Sequence, residues 1–178
     1  MPSPWPRGYV HLYIGDGKGK TTMALGLALR AAGHGLRTYI GQFLKKPASG
    51  EHRAVAFLPK LIVIEGYGSG TFLKPGEPLD PAEVARARDG LLRARAAMLS
   101  EHYSIVVLDE VNVAIHFGLL HIDEVLEFIE AKPEPVELVL TGYGTHHRLI
   151  EAADLVSEVR LIKHYYEQGV KARKGIER

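Results

Sequence analysis

The sequence predicts a single three-layer α/β domain, a mostly parallel sheet with helices on both faces, and three observations carry that prediction. Short apolar runs, at about 9–14, 37–43, 61–65, 105–108 and 136–141, alternate with segments of helical period. Several of those runs are continuous in apolar residues, as in strands buried on both faces. A glycine-rich turn follows the first run and opens the first helical segment. At 178 residues the chain suits one domain, residues 1–178, with a substantial core.

Composition narrows the function classes. Hydrophobic residues make up 46% and charged residues 24%, too balanced for disorder. The formal charge of +1 gives no polyanion-binding signature, so no nucleic-acid partner is expected. The absence of cysteine excludes disulfides, thiolate metal sites and cysteine nucleophiles together. Residues 1–7 contain no apolar signal core, and no uncharged apolar run approaches the roughly 18 residues of a membrane span. A soluble, cytoplasmic protein with no membrane partner is the expectation.

Taken in order, residues 1–8 hold three prolines and are expected to form an extended N-terminal arm. A strand at 9–14 leads into Gly15-Asp16-Gly17-Lys18-Gly19-Lys20-Thr21-Thr22. A triphosphate needs backbone N–H groups at close range, and the glycines leave them bare. Lys20 supplies a point charge, Thr21 a hydroxyl for magnesium, and the helix starting there a favourable dipole end. A plain strand-to-helix turn needs one glycine at most and has no use for Lys-x-Lys-Thr-Thr. The loop is nevertheless one residue short: a strict P-loop would place glycine at the position of Ile14.

The first helix is expected over 20–32, with Met23, Leu25, Leu27, Ala28 and Ala31 inward and Gly33-His34-Gly35 ending it. Lys45 and Lys46 follow the second strand, at the carboxyl edge where open α/β sheets bind ligands; phosphate contact and simple solvation are both open for them. A short helix at 52–60 and a third strand at 61–65 precede an irregular stretch, 66–78. Loops of that length are commonly functional, and Tyr67 and Phe72 suit a flat ligand. Asp80-Pro81-Ala82-Glu83 is a helix start, with a capping aspartate and proline at the first position. The arginines of the helix reaching Ser100 are interrupted by Glu83 and Asp89, which makes them a solvated face and not a nucleic-acid surface.

Ile105-Val106-Val107-Leu108-Asp109-Glu110 ends a buried strand on two carboxylates. With the phosphate loop this resembles a Walker B segment, whose acid holds magnesium; the two elements are expected on neighbouring strands, converging on one metal. Residues 111–118 form a short helical connection, and a helix follows over 123–131 with Val125, Leu126, Phe128 and Ile129 inward. The strand at 136–141 ends in Gly142-Tyr143-Gly144, again at the ligand edge. His146 and His147 are adjacent on a helix and do not face one site, so capping or surface roles are expected of them. A last strand lies near 155–162, and the polar, basic residues 163–178 read as a flexible C-terminal flap.

These blocks together resemble the P-loop-type ATP:cob(I)alamin (ATP:corrinoid) adenosyltransferases, from about Gly8 to Ile176. The short phosphate loop matches, spacing included, as do Gln42-Phe43 with Lys45, 107–110 with Asn112, Thr141-Gly142, Ala153-Asp154 with Glu158, Lys163-His164, and 169–172 with 174–176. The resemblance implies a P-loop NTPase (RecA-like) fold, a homodimer, and transfer of the 5′-deoxyadenosyl group of ATP to the cobalt of a reduced corrinoid, with release of triphosphate. It implies that ATP lies reversed relative to ordinary P-loop enzymes, and that a reductase supplies electrons. Lys20, Thr21 and Glu110 are then the catalytic residues; Gly15, Asp16, Gly17, Lys18, Gly19, Lys20, Thr21 and Thr22 bind ATP; Thr21, Glu110 and Asp109 hold Mg2+; and Tyr67 and Phe72 meet the corrinoid. The family's corrinoid loop carries a tryptophan shortly after its Gly-aromatic pair; none follows Gly66-Tyr67, and Tyr143 stands where the family commonly has arginine. A RecA-like ATP-dependent binding module and a P-loop small-molecule kinase are the alternatives.

Overall fold

Residues 3–46, 49–71, 73–74 and 76–177 are described by a computed structural model of the chain. Six strands form one sheet: β1 (Val10–Ile14), β2 (Thr38–Phe43), β3 (Ile62–Tyr67), β4 (Ile105–Asp109), β5 (Glu137–Thr141) and β6 (Leu155–Glu158). Their order is β3-β2-β4-β5-β1-β6, and every neighbouring pair runs parallel. All carboxyl ends therefore lie on one edge, which is where the phosphate loop and the acidic pair emerge.

Alternate residues of a strand enter opposite cores. Val106 and Leu108 of β4 join Ala87, Leu91, Ala94 and Met98 of α3 (Pro81–Leu99) and Val125 and Phe128 of α5 (Ile122–Glu130). Ile105 and Val107 join Ala24, Ala28, Ala31 and Ala32 of α1 (Lys20–Ala32), with Val55 of α2 (Gly50–Val55) at the margin. The result is three layers. Alanines on the buried stripe let α1 lie close to the sheet; Met23, expected inward, is 39% exposed, and Ala24 takes its place.

Asp80 accepts a hydrogen bond from the Ala82 N–H with Pro81 at the first helical position, as its sequence predicts. Along α3, Arg86 pairs with Glu83 and Arg93 with Asp89, so those arginines form a salt-bridged face. His146 caps α6 (His147–Ala152) by accepting from the Arg148 N–H, the capping role its position suggests. No helix among the described residues is long and apolar enough to cross a membrane.

Two further expectations are corrected. β1 and β4 are not neighbours, because β5 lies between them. The last strand stops at Glu158 and not near 162, because the next backbone groups leave the ladder for the phosphate loop: the Val159 carbonyl accepts from the Gly17 N–H at 2.8 Å, and the Leu161 N–H donates to Asp16 Oδ1 at 3.2 Å.

Candidate functional site

The phosphate loop is held from both sides. Gly15 and Gly19 have φ of 99° and 121°, conformations open to glycine. Proximity is a second reason for glycine: a Cβ on Gly15 or Gly17 would come within 2.4 or 2.6 Å of the Val159 carbonyl oxygen. Gly19 begins α1, whose N-terminus has no side-chain cap. The first-turn amides thus face the cleft without a side-chain partner, the arrangement that takes an anion. Lys20 folds beneath the loop, its Nζ donating to the carbonyls of Gly15 at 2.6 Å and Gly17 at 2.8 Å. Lys18 reaches outward and donates to the Ile176 carbonyl at 3.2 Å.

Asp109, at the end of β4, is 0% exposed and collects hydrogen bonds from four side chains. Oδ1 accepts from Thr21 at 2.9 Å and Thr141 at 2.7 Å; Oδ2 accepts from Gln42 at 3.0 Å and from Lys45 Nζ at 2.9 Å. Thr21 belongs to α1, Gln42 to β2 and Thr141 to β5, so the acid ties the phosphate-loop helix to three strands. This explains how the loop and the acidic pair converge although β5 separates their strands: α1 passes over the sheet, and Thr141 fills the gap below. Lys45 Nζ also donates to Thr21 Oγ1 at 3.0 Å. Burial draws the Lys45 ammonium's pKa down, but the Asp109 carboxylate outweighs it and the net direction is up.

Glu110 turns the chain from β4 into α4 (Val111–His116) through a left-handed conformation, φ 63°. Its carboxyl accepts no hydrogen bond among the described residues, and burial, then the neighbouring Asp109 charge, raise its pKa against the opposing pull of Lys45 and Lys20.

Two clefts meet at Glu110. One, of about 730 Å³, is lined by the loop from Gly17 to Thr22, by Glu51, and by Gly175, Ile176 and Glu177 of the C-terminal segment. The other, of about 470 Å³, is more apolar and is lined by Leu44, Leu73, Val113, Phe117 and Tyr143. Lys45, Ser49 and Glu110 belong to both. The C-terminal segment carries a turn of 3-10 helix, Tyr165–Gln168, and a cluster in which Glu177 accepts from Arg173 and Tyr165; these hold its carboxyl at about 2.

Of the residues the sequence singled out, Lys20, Thr21, Asp109 and Glu110 converge within this edge. Asp16 faces the Leu161 amide. Tyr67 requires a correction: it is 6% exposed, packs edge-on against Phe43, lies over Gly41 and Gly90, and shares its hydroxyl with Tyr39 and Glu65. An aromatic in a glycine-rich context is here mostly core, with only its edge beside the small cleft lined by Glu65 and Arg93. Phe72 lies outside the described residues. Three roles were not assigned from the sequence: those of Gln42 and Thr141, matched there only as parts of family stretches, as donors to Asp109, and that of Val159 at the loop. For the first two the signal was register, since Gln42 pairs with Asp109 and Leu140 with Leu108.

Known proteins resemble this chain in sequence and in fold. The family model for ATP:corrinoid adenosyltransferase BtuR/CobO/CobP matches residues 6–178. A corrinoid adenosyltransferase of Pseudomonas aeruginosa is 36% identical over 172 residues, 96% of this chain and 84% of that protein. The corrinoid adenosyltransferase CobA of Salmonella typhimurium is 34% identical over 173 residues, 96% of this chain and 86% of that one. Among solved structures, a KaiC-like protein of Pyrococcus horikoshii aligns with TM-score 0.58 at 20% identity, covering 90% of this chain and 76% of that one, a likeness of fold.

Proposed function

The chain belongs to the ATP:corrinoid adenosyltransferase family, and on that premise we propose that it transfers the 5′-deoxyadenosyl group of ATP to the cobalt of a reduced corrinoid, cob(I)alamin or cobinamide, releasing triphosphate in adenosylcobalamin synthesis or salvage. Family membership makes it a transferase that adenosylates corrinoids. The observation that carries the finer reading is the pair of clefts: a polar one built on a phosphate loop and a more apolar one, sharing Lys45, Ser49 and Glu110. One suits a triphosphate and the other the apolar face of a flat macrocycle.

The reaction is a displacement at carbon. The electron pair of cob(I) forms the cobalt–carbon bond, the bond from the 5′-carbon to the α-phosphate oxygen breaks, its pair leaves with triphosphate, and cobalt rises from +1 to +3. The nucleophile comes with the substrate, so the protein's work is to align the reactants, exclude water and stabilise the departing charge. Lys20 and the uncapped α1 amides meet the phosphates, with Lys18 adding charge from the outer side. Donor chemistry supports Mg2+, because the ammonium of Lys45 already lies against both Thr21 Oγ1 and Asp109 Oδ2, and Glu110 offers a carboxylate that accepts no hydrogen bond among the described residues. Thr21, Asp109 and Glu110 would hold the ion, which supplies charge neutralisation when bound. Among the described residues no three His, Cys, Asp or Glu side chains group to hold a metal, so in this reading the two carboxylates are joined by the Thr21 hydroxyl, and phosphate and water supply the remaining ligands. A homodimer, a cytoplasmic location and a separate reductase complete the reading.

Purified protein supplied with Mg2+, ATP and chemically reduced cobalamin is expected to yield light-sensitive adenosylcobalamin and triphosphate in equal amounts. Orthophosphate as the only phosphate product would overturn the reading.

A further inference from the structure

Lys45 lies where a small cation belongs, and the fold holds it there. Its Nζ donates to Asp109 Oδ2 at 2.9 Å and to Thr21 Oγ1 at 3.0 Å, two of the groups assigned above to magnesium. The other donors to Asp109, which are Thr21, Thr141 and Gln42, are neutral, so Lys45 alone among them brings a charge to a carboxylate that is 0% exposed. Leaving such a charge uncompensated in the interior is strongly destabilising. An ion bound to Thr21 and Asp109 and an ammonium hydrogen-bonded to the same oxygens exclude each other by size and by repulsion.

The backbone beside Lys45 is held in an unusual conformation. Leu44 adopts φ 64°, unusual for a residue with a side chain, and such conformations persist where surrounding contacts impose them. Here the imposing contact is β3's continuation: the Gly68 N–H donates to the Lys45 carbonyl at 3.1 Å, and a Cβ on Gly68 would stand 2.4 Å from the Leu44 carbonyl carbon. The Lys45 side chain is one-third exposed and borders both clefts, so its ammonium can swing aside without crossing the core.

We propose that Lys45 is a positioning residue, a tethered counter-cation that holds Thr21 and Asp109 in place in the nucleotide-free enzyme and yields to Mg2+ when it arrives with the triphosphate. This rests on the functional reading above. Once released, the ammonium stands on the wall shared by the clefts, with the triphosphate as its nearest new anion. The exchange keeps the buried carboxylate compensated at every stage.

The test is Mn2+ binding to the nucleotide-free protein, followed by the loss of the free-ion electron paramagnetic resonance signal. Lys45→Met and Lys45→Gln, which keeps a donor for Asp109 without the charge, are each expected to bind Mn2+ roughly tenfold or more tightly than the unaltered chain, the scale of removing one competing charge at contact. Mn2+ is then expected to raise the melting temperature of both variants and not of the unaltered protein. Adding Asp109→Asn should abolish the gain. Variants that are merely less stable, with no gain in Mn2+ affinity, would overturn the proposal. Failure of the unaltered protein to bind Mg2+ and ATP together would instead overturn the functional reading, a separate result.

Discussion

Three alanine substitutions separate the two reasons for glycine in the phosphate loop. Gly19 has φ 121° and no atom within 4 Å of where an alanine methyl would stand, so Gly19→Ala meets conformational strain alone, about 1–3 kcal/mol. At Gly17, where φ is not in the left-handed region, a Cβ would lie 2.6 Å from the Val159 carbonyl oxygen and 2.8 Å from its carbon. The obstacle is backbone and cannot rotate away, so Gly17→Ala must push β6's continuation off the loop, at about 1–3 kcal/mol. Gly15→Ala meets both, with φ 99° and a contact of 2.4 Å. Its cost is about 2–6 kcal/mol, a large part of the roughly 5–15 kcal/mol by which a domain is stable. Urea unfolding of the nucleotide-free protein should therefore rank Gly15→Ala as the least stable of the three. Gly17→Ala at wild-type stability, or Gly15→Ala no worse than Gly19→Ala, would refute the bracing of the loop by Val159.

Lys20→Ala removes an ammonium that donates to two loop carbonyls and, with it, the phosphate contact proposed above. It should unfold at lower denaturant by about 1–3 kcal/mol and transfer adenosyl about 100- to 1000-fold more slowly; turnover near wild type would remove Lys20 from the site. Glu110 gives a pH signature. Its folded pKa is raised above the unfolded 4.5, so the folded protein holds that proton more tightly, and stability falls as pH rises from 4.5 through the folded value. Glu110→Gln should abolish that slope, be more stable than the unaltered protein at pH 7.5 without nucleotide, and lose magnesium-dependent activity. A difference between the two proteins that stays flat with pH would refute the assignment.

Much of the site was legible because it obeys local rules: glycines before a helix, two acids after a buried strand, a capped start for α3. What was not legible depended on lateral neighbours. Nothing in 105–110 reveals that β5 intervenes between β4 and β1, so Thr141's place beneath Asp109 appears only with the strand order. Tyr67 misled for the same kind of reason. Its glycine-rich surroundings suit a ligand, but Gly41 and Gly90 on neighbouring elements open a slot in the core that its ring fills. The run 155–162 is apolar enough for a longer strand, yet the Val159 carbonyl and the Leu161 N–H turn to the loop, the Val159 N–H keeping its bond to Ile14 of β1.

The arrangement of the clefts also bears on which way ATP runs. The phosphate cleft extends from Glu110 and Lys45 along the loop to Gly175, Ile176 and Glu177, whereas the apolar cleft adjoins it only at Lys45, Ser49 and Glu110. In-line displacement needs the nucleophile and leaving group on opposite sides of the 5′-carbon. A corrinoid in the apolar cleft therefore requires that carbon at the shared wall, with the α-phosphate next and the γ-phosphate farther along the loop. Adenosine placed at the C-terminal end would instead put the triphosphate between carbon and cobalt. The one-residue shortening of the loop accords with a chain of phosphates entered from the nucleoside end at Glu110, and crystals soaked with ATP would contradict it by placing the adenine beside Ile176.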